Sequence, residues 1–404
     1  MENLLFILFM VCSFSIKASE LDSLLYWSAS NHPKLKAAFK SYEASLQKVH
    51  GSGYLPDPTF SFGYFISSAE TRLGPQEGSF GVQQMFPWRG TLKAQKSIAI
   101  AHSKMEFEKF QLLKLELFKN VKQLYFESEK LAVNTTFLQE NVRLLNQIKT
   151  IGLSKIEAGN GSTTDILRIN LAINNLETRI ATHNIMYSAK TEQLALITAR
   201  DTVILHFQNN DGNFRETLSA DSINNHPMVE ASREKLIANL AQKKIIHQMG
   251  LPKLGIGLNY IVVGERTDMN PVDNGKDILM PKVSMSLPIY RKKYKALAKM
   301  NELQRESIEE EVKNKKLILD SKLIVAQAQI NSANERIVLY RNQIQTAKSL
   351  IELLKSDYQN GNTNIESIFS TQAQLVMYQM ELQKADTDLK IANSELEFIL
   401  NKTV

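Results

Sequence analysis

The sequence predicts a mainly α chain with a transmembrane β-barrel part, internally duplicated, with long coiled-coil helices plus four β-strands per chain. Three observations carry that reading. The ten prolines fall between residues 33 and 87 or between 227 and 288, leaving two proline-free stretches, 88–226 and 289–404, each over a hundred residues long. Proline breaks helix interiors, so these stretches are the long helices. Inside them apolar residues recur in a 3-4 alternation, and the pattern of the second stretch reappears in the first at an offset of 202 residues.

The chain begins with an apolar run over 4–16 that is too short to cross a bilayer as a helix. Lys17, Ala18 and Ser19 follow, so residues 1–18 are read as a secretory signal, although its first residues carry Glu2 and no Lys or Arg. The single cysteine, Cys12, lies in this run, which excludes an intrachain disulfide and a thiolate metal site. Lipid attachment at Cys12 is the weaker reading, because Phe9-Met10-Val11 lacks the small residues a lipoprotein peptidase prefers. No later stretch offers about 18 consecutive apolar residues. The mature chain, 19–404, is therefore exported, and it is either soluble or a β-type membrane protein.

Two repeats divide it, about 19–212 and 213–404. Each opens a short helix on the same tripeptide, Asn31-His32-Pro33 and Asn225-His226-Pro227, and reaches alternating sequence through Leu55-Pro56 or Leu251-Pro252. Strands are expected at about 57–66, 79–87, 253–263 and 281–289. Their apolar face holds Phe60, Phe62, Tyr64, Phe80, Val82, Leu254, Ile256, Leu258, Tyr260, Val283 and Met285. Ser61, Gly63, Gly81, Gln83, Gly255, Gly257, Asn259, Lys282 and Ser284 alternate with them. Period-2 alternation with one consistently apolar face fits a transmembrane strand. Polar loops, 67–77 and 264–277, link each pair. A soluble hairpin packed on a helix is the alternative, but the adjoining helices are too long for a compact core. One over 91–155 would run about 100 Å.

The helical seams are explicit. Leu323, Ala326, Ile330, Ala333, Ile337, Tyr340, Ile344, Ala347, Ile351, Leu354 and Tyr358 form one coiled-coil seam. A second runs from Ile368 through Leu375, Tyr378, Leu382, Ala385, Leu389, Ala392 and Leu396 to Ile399, with Thr371 as its polar exception. At minus 202 they map onto Val121–Ile156 and Ile166–Ile197, largely apolar and in phase. Glu157-Ala158-Gly159-Asn160 then matches Gln359-Asn360-Gly361-Asn362 as the turn between helices.

Four strands cannot close a barrel in lipid, where open edges are not tolerated. Two copies would give eight strands and a filled interior; three would give twelve and a lumen, which the polar strand faces favour. A tube without a pocket is a conduit. At this point the duplication, the hairpins and the Gly-centred turns at Gly159 and Gly361 resemble the TolC-like outer-membrane efflux proteins, over essentially the whole mature chain. The resemblance implies a homotrimer in outer-membrane lipid of a Gram-negative bacterium, with its helical part in the periplasm. It also implies a periplasmic adaptor and an inner-membrane efflux pump as partners, the adaptor docking on the tips at Gly159, Asn160, Ser162, Gly361, Asn362 and Thr363. Some members close the tunnel with rings of Asp just beyond the second tip. Here Ser367 and Ser370 stand at the corresponding places beside Glu366, a departure from that charged pattern, and the candidate gate is Asp165, Glu366, Ser367 and Ser370. The segment Phe86-Pro87-Trp88-Arg89-Gly90 resembles a strand-to-helix turn of the heavy-metal branch.

Trp88 and Tyr290 stand where strands hand over to helices and suit a membrane-interface belt, with Arg291, Lys292 and Lys293 on the wet side. Asp165, Ser162, Thr163, Glu366 and Thr363 near the tips fit helix caps before they fit an ion-selecting ring. The net charge of +6, with both signs interleaved along the helices, fits a solvated surface and no nucleic-acid footprint. None of the seven histidines pairs at metal-binding spacing, His32 and His226 are structural, and the thirteen methionines do not cluster. No metal site, cofactor or catalytic constellation is implied, so the chain is not an enzyme. The alternatives are an exit duct of an ABC-driven protein secretion system and a periplasmic coiled-coil adaptor. The adaptor would need a compact lipoyl-like domain, which the sequence lacks. Metal ions, drugs and bile-type amphiphiles all stay open as cargo.

Overall fold

The computed structural model describes residues 20–159, 161–205, 207, 221–360 and 362–402. The expected signal at 1–18 with Cys12, and the expected tip residues Asn160 and Gly361, lie outside the described residues. The elements are α1 (Glu20–Asn31), α2 (Pro33–His50), β1 (Thr59–Tyr64), β2 (Glu70–Thr71), β3 (Gly74–Phe86), α3 (Thr91–Glu157), α4 (Thr163–Thr198), α5 (Asp221–Asn224), α6 (Pro227–Met249), β4 (Lys253–Val263), β5 (Ile278–Ser286), α7 (Arg291–Gln359) and α8 (Ile365–Ile399). The ends of α3 and α7, at Glu157 and Gln359, stand 202 positions apart, as do the starts of α4 and α8, at Thr163 and Ile365.

Two compact units divide the chain. The sheet unit comprises Ala37–Leu112 and Ile223–Leu319. Its strands run antiparallel in the order β1-β3-β4-β5, with β2 paired only to β3. In the same unit, Phe39 of α2 meets Phe110 of α3 at 5.4 Å between ring centroids, and Tyr42 meets Phe107 at 5.2 Å. α6 joins α7 through a reciprocal pair: the Asn239 and Asn301 amides each donate to the other's backbone carbonyl at 3.3 Å. Buried Ala94, Ala99 and Ala101 let neighbours approach α3 closely. At the start of α6 the Nδ1 of buried His226 accepts from the Met228 amide at 3.2 Å, which caps the helix at the residue before Pro227.

The helical unit comprises Met1–Lys36, Leu113–Ser222 and Asp320–Val404. Its core draws on four helices: Leu138, Leu145 and Ile148 of α3, Ile169, Ile173 and Leu176 of α4, Tyr358 of α7, and Ile365, Ile368 and Val376 of α8. Every position of the 323–358 seam is buried or half-buried. At one end Trp27 of α1 donates to the Ala199 carbonyl at 3.4 Å, and Ala199 ends α4 in the left-handed conformation.

Several expectations need correction. Among the described residues the strands number five, because β2 forms a two-residue bridge, Glu70↔Pro75 and Thr71↔Gly74. β3 begins at Gly74, well inside the loop expected at 67–77. Gly-Pro-Gln reads locally as a turn, yet long-range partners hold it extended, with the Gly264 amide donating to the Pro75 carbonyl at 2.8 Å. β1 is shorter than 57–66, and β5 occupies Ile278–Ser286 and not 281–289, because the chain turns at Leu287, whose carbonyl accepts from the Ile289 amide. In α8 the seam is only half the story. Gln372, Gln379, Thr387 and Ser394 are buried on a further face. Asn141 of α3 is buried there too, donating to Gln379 at 2.9 Å and accepting from Gln372 at 3.4 Å. A helix packed against two neighbours buries two stripes, and the second can be polar when its groups bond one another.

Candidate functional site: the sheet and the helix turns

Antiparallel register decides which side chains share a face of the sheet. Phe60, Val82, Leu258 and Pro281 form one cross-strand row, and Phe62, Phe80, Tyr260 and Leu279 the next. Ile256 with Val283 and Leu254 with Met285 continue the apolar face. The intervening rows are Ser61, Gly81, Asn259 and Met280, then Thr59, Gln83, Gly257 and Lys282, then Met85, Gly255 and Ser284. Within that face Gln83 donates to Ser284 at 2.6 Å.

Burial runs opposite to a water-soluble sheet. The apolar side chains are exposed, Val283 at 77% and Phe60 at 66%, whereas Gly81 and Gly255 are buried and Gln83, Asn259 and Ser284 half-buried. Soluble proteins rarely leave a contiguous apolar face of several strands uncovered. The outer edges of β1 and β5 have no partner strand among the described residues. No described helix is long and apolar enough to cross a membrane.

Trp88 and Tyr290 are both exposed and lie between the last strand residue and the first helical one, as expected. The Trp88 carbonyl accepts from the Thr91 amide at 3.0 Å, and the Tyr290 carbonyl from the Lys293 amide at 3.2 Å. Gly90 has φ +91, so this turn needs glycine.

At the first helix turn Gly159 has φ +78, with nothing within 4 Å of where a Cβ would stand. Ser162 precedes α4 in extended conformation but makes no side-chain cap. At the second turn the cap is Asn364, which the sequence reading passed over. Its Oδ1 accepts from the Ser367 amide at 3.2 Å and from the Ser367 hydroxyl at 3.1 Å. Ser370 donates to the Ser367 carbonyl at 3.1 Å, so both serine hydroxyls are engaged within their own helix. Asn362 is exposed and Thr363 half-buried.

Asp165 and Glu366 are drawn into contacts between the two turns. The Tyr358 hydroxyl donates to Asp165 at 3.3 Å, and Arg168 pairs with Glu366. Lys155 lies over the Tyr358 ring at 4.2 Å and donates to its carbonyl. Burial, then the Asp165 charge, pushes the Tyr358 phenol above its ordinary value, so it stays a donor at neutral pH. Lys155 and Arg168 were not singled out in the sequence, and Tyr358 only as the last residue of a seam. The usable signal was the duplication, since these contacts span 193 to 203 residues, close to the repeat length. Among the described residues no three His, Cys, Asp or Glu side chains gather as metal ligands.

The chain is similar in fold to outer-membrane channels over most of its length. It matches CusC at a TM-score of 0.78 and 14% identity, covering 94% of this chain and 91% of that one. It matches VceC from Vibrio cholerae at 0.77 and 12% identity (95% and 97% covered), and the open state of MtrE from Neisseria gonorrhoeae at 0.75 and 14% (94% and 88%). No curated protein matches it in sequence. The fold is therefore the one these outer-membrane channels share. Residues 218–402 match the model of the outer membrane efflux protein family.

Proposed function

We propose that three copies of this chain form a passive duct across the outer membrane of a Gram-negative bacterium. β1 of one copy pairs with β5 of the next, so that twelve strands close with the apolar face toward lipid. The single observation that carries this reading is the exposed apolar face of the sheet, with Phe60, Leu258 and Val283 open while Gln83, Asn259 and Ser284 at the centre of the opposite face are half-buried. The chain is a channel subunit and not an enzyme. Energy comes from an inner-membrane pump, and a periplasmic adaptor links that pump to the helix turns around Gly159, Ser162, Asn362 and Thr363. Asp165 and Glu366, tied by Tyr358 and Arg168, form the periplasmic gate. Trp88 and Tyr290 mark the membrane interface.

Fractionation tests the membrane reading: the protein should stay with the outer membrane through a carbonate wash, and recovery as a soluble periplasmic protein would sink it. Gly159→Val tests the docking surface. A β-branched residue resists φ +78 but meets no neighbour there, so the turn should distort while the trimer remains abundant. Export should fail, and crosslinking from Ser162 to the adaptor should drop. Normal export with normal crosslinking would remove the turns as the docking surface.

A further inference from the structure

The sheet carries very little charge, and what it carries is one-sided. From Gly78 onward in β3, and throughout β1, β4 and β5, the only charged residues are Lys253 and Lys282. Both fall on the polar face, Lys282 in the row of Thr59, Gln83 and Gly257, and Lys253 opposite Ser286. Both are exposed, and neither has an ion pair among the described residues. Gly257, the cross-strand neighbour of Lys282, has no side chain to screen it. Glu77, the carboxylate within β3, sits in the irregular stretch between Gln76 and Gly78, six residues along the strand from the Lys282 row, about 20 Å away. Glu70 lies in β2, paired only to the Gly74–Pro75 end of β3, and Asp57 is the nearer carboxylate, two residues (about 7 Å) before Thr59 of the Lys282 row and outside the paired strands.

We propose that Lys282 sets the ionic preference of the duct, favouring small inorganic and organic anions over cations, with Lys253 adding to it nearer the helices. This inference rests on the shared-barrel reading above. Twelve strands about 4.8 Å apart and tilted about 40° enclose a backbone radius of about 12 Å. An extended lysine reaches about 6 Å inward, which leaves three ammonium groups about 6 Å from the axis. That distance is inside the Debye length of about 8–10 Å at physiological salt, so their fields overlap where solutes pass. Cationic cargo would cross this level against the field, and anionic cargo with it.

The test is the reversal potential of the purified protein in planar bilayers under a potassium chloride gradient. The native channel should prefer chloride. Lys282→Gln should lower the chloride-to-potassium permeability ratio about fivefold near 0.1 M salt, and little at 1 M, where screening shortens to about 3 Å. Lys282→Glu should reverse the preference, and Lys282→Arg should retain it. Lys282→Cys gives a reading that does not depend on folding a charge variant. Charged thiol reagents of either sign, applied to open channels in a Cys12→Ser background, should restore chloride preference when cationic and abolish it when anionic. Channels whose selectivity ignores all these changes would overturn the role of Lys282 and leave the duct intact. Folded protein that forms no channels at all would overturn the duct itself, and this inference with it.

Discussion

The sheet and the helical unit use the same device, an apolar stripe repeated at the period of the backbone, in opposite senses. In the helical unit the stripe is shut away, with Ile169 and Ile368 at 0% exposure. In the sheet it stands open, while Gln83, Asn259 and Ser284 at the centre of the polar face are half-buried. Sequence period reports backbone conformation, whereas the sense of burial reports the surrounding medium. A stripe of Leu, Ile and Val means core in one region and, on the proposed function, lipid in the other.

The comparison breaks most severely if charge is placed on the open stripe. Leu258→Arg or Val283→Arg should cost about 2–4 kcal/mol per protomer near the bilayer midplane. Multiplied over a trimer, that should abolish assembled protein on semi-native gels while leaving helical content in detergent unchanged. If both variants assemble normally, the apolar face does not meet lipid. Next in size is the buried stripe. Leu138→Ala should lower the stability of the helical unit by about 2–5 kcal/mol, read from denaturant unfolding followed by far-UV circular dichroism, because a fully buried leucine leaves a cavity.

The shielded rows of the sheet should be tolerant. Asn259→Arg and Ser284→Arg should assemble at near-native levels and change single-channel conductance; equal damage on both faces would mean the pleat is assigned backwards. The smallest effect is electrostatic. Burial works to raise the Glu395 carboxyl, but bonds from Lys119 and Lys322 outweigh it and hold it below the ordinary glutamate value. The stabilisation is therefore present above about pH 4.3 and is lost as pH falls through the lower folded value. These pairs are partly solvated, so the loss should be about 0.5 kcal/mol or less. Thermal melts from pH 6 down to 3.5 should show it, and Glu395→Gln should remove that component.

Much of this architecture was legible because it is periodic. The 323–358 seam could be written down residue by residue, and the strand alternation fixed which side chains share a face before any pairing was known. Local chemistry misled where distant partners decide the conformation, as at Gly74-Pro75-Gln76, which resembles a turn and pairs as a strand. The second buried stripe of α8 was invisible because Gln372 and Gln379 look like surface residues until Asn141 stands opposite them. The contacts at the helix turns were hidden for the same reason. Nothing near Arg168 in sequence announces Glu366, and only the duplication hints that residues some 200 apart could meet.

The bare edges of β1 and β5 bear on genetics as well as on architecture. If a protomer completes its neighbour's sheet, a defective copy harms more than itself. In a cell expressing a Leu258→Arg allele that still reaches the assembly step beside the native one at equal levels, only about one barrel in eight would draw three sound subunits. An allele of this kind should behave as dominant, whereas one that unfolds before its edges are presented should be recessive.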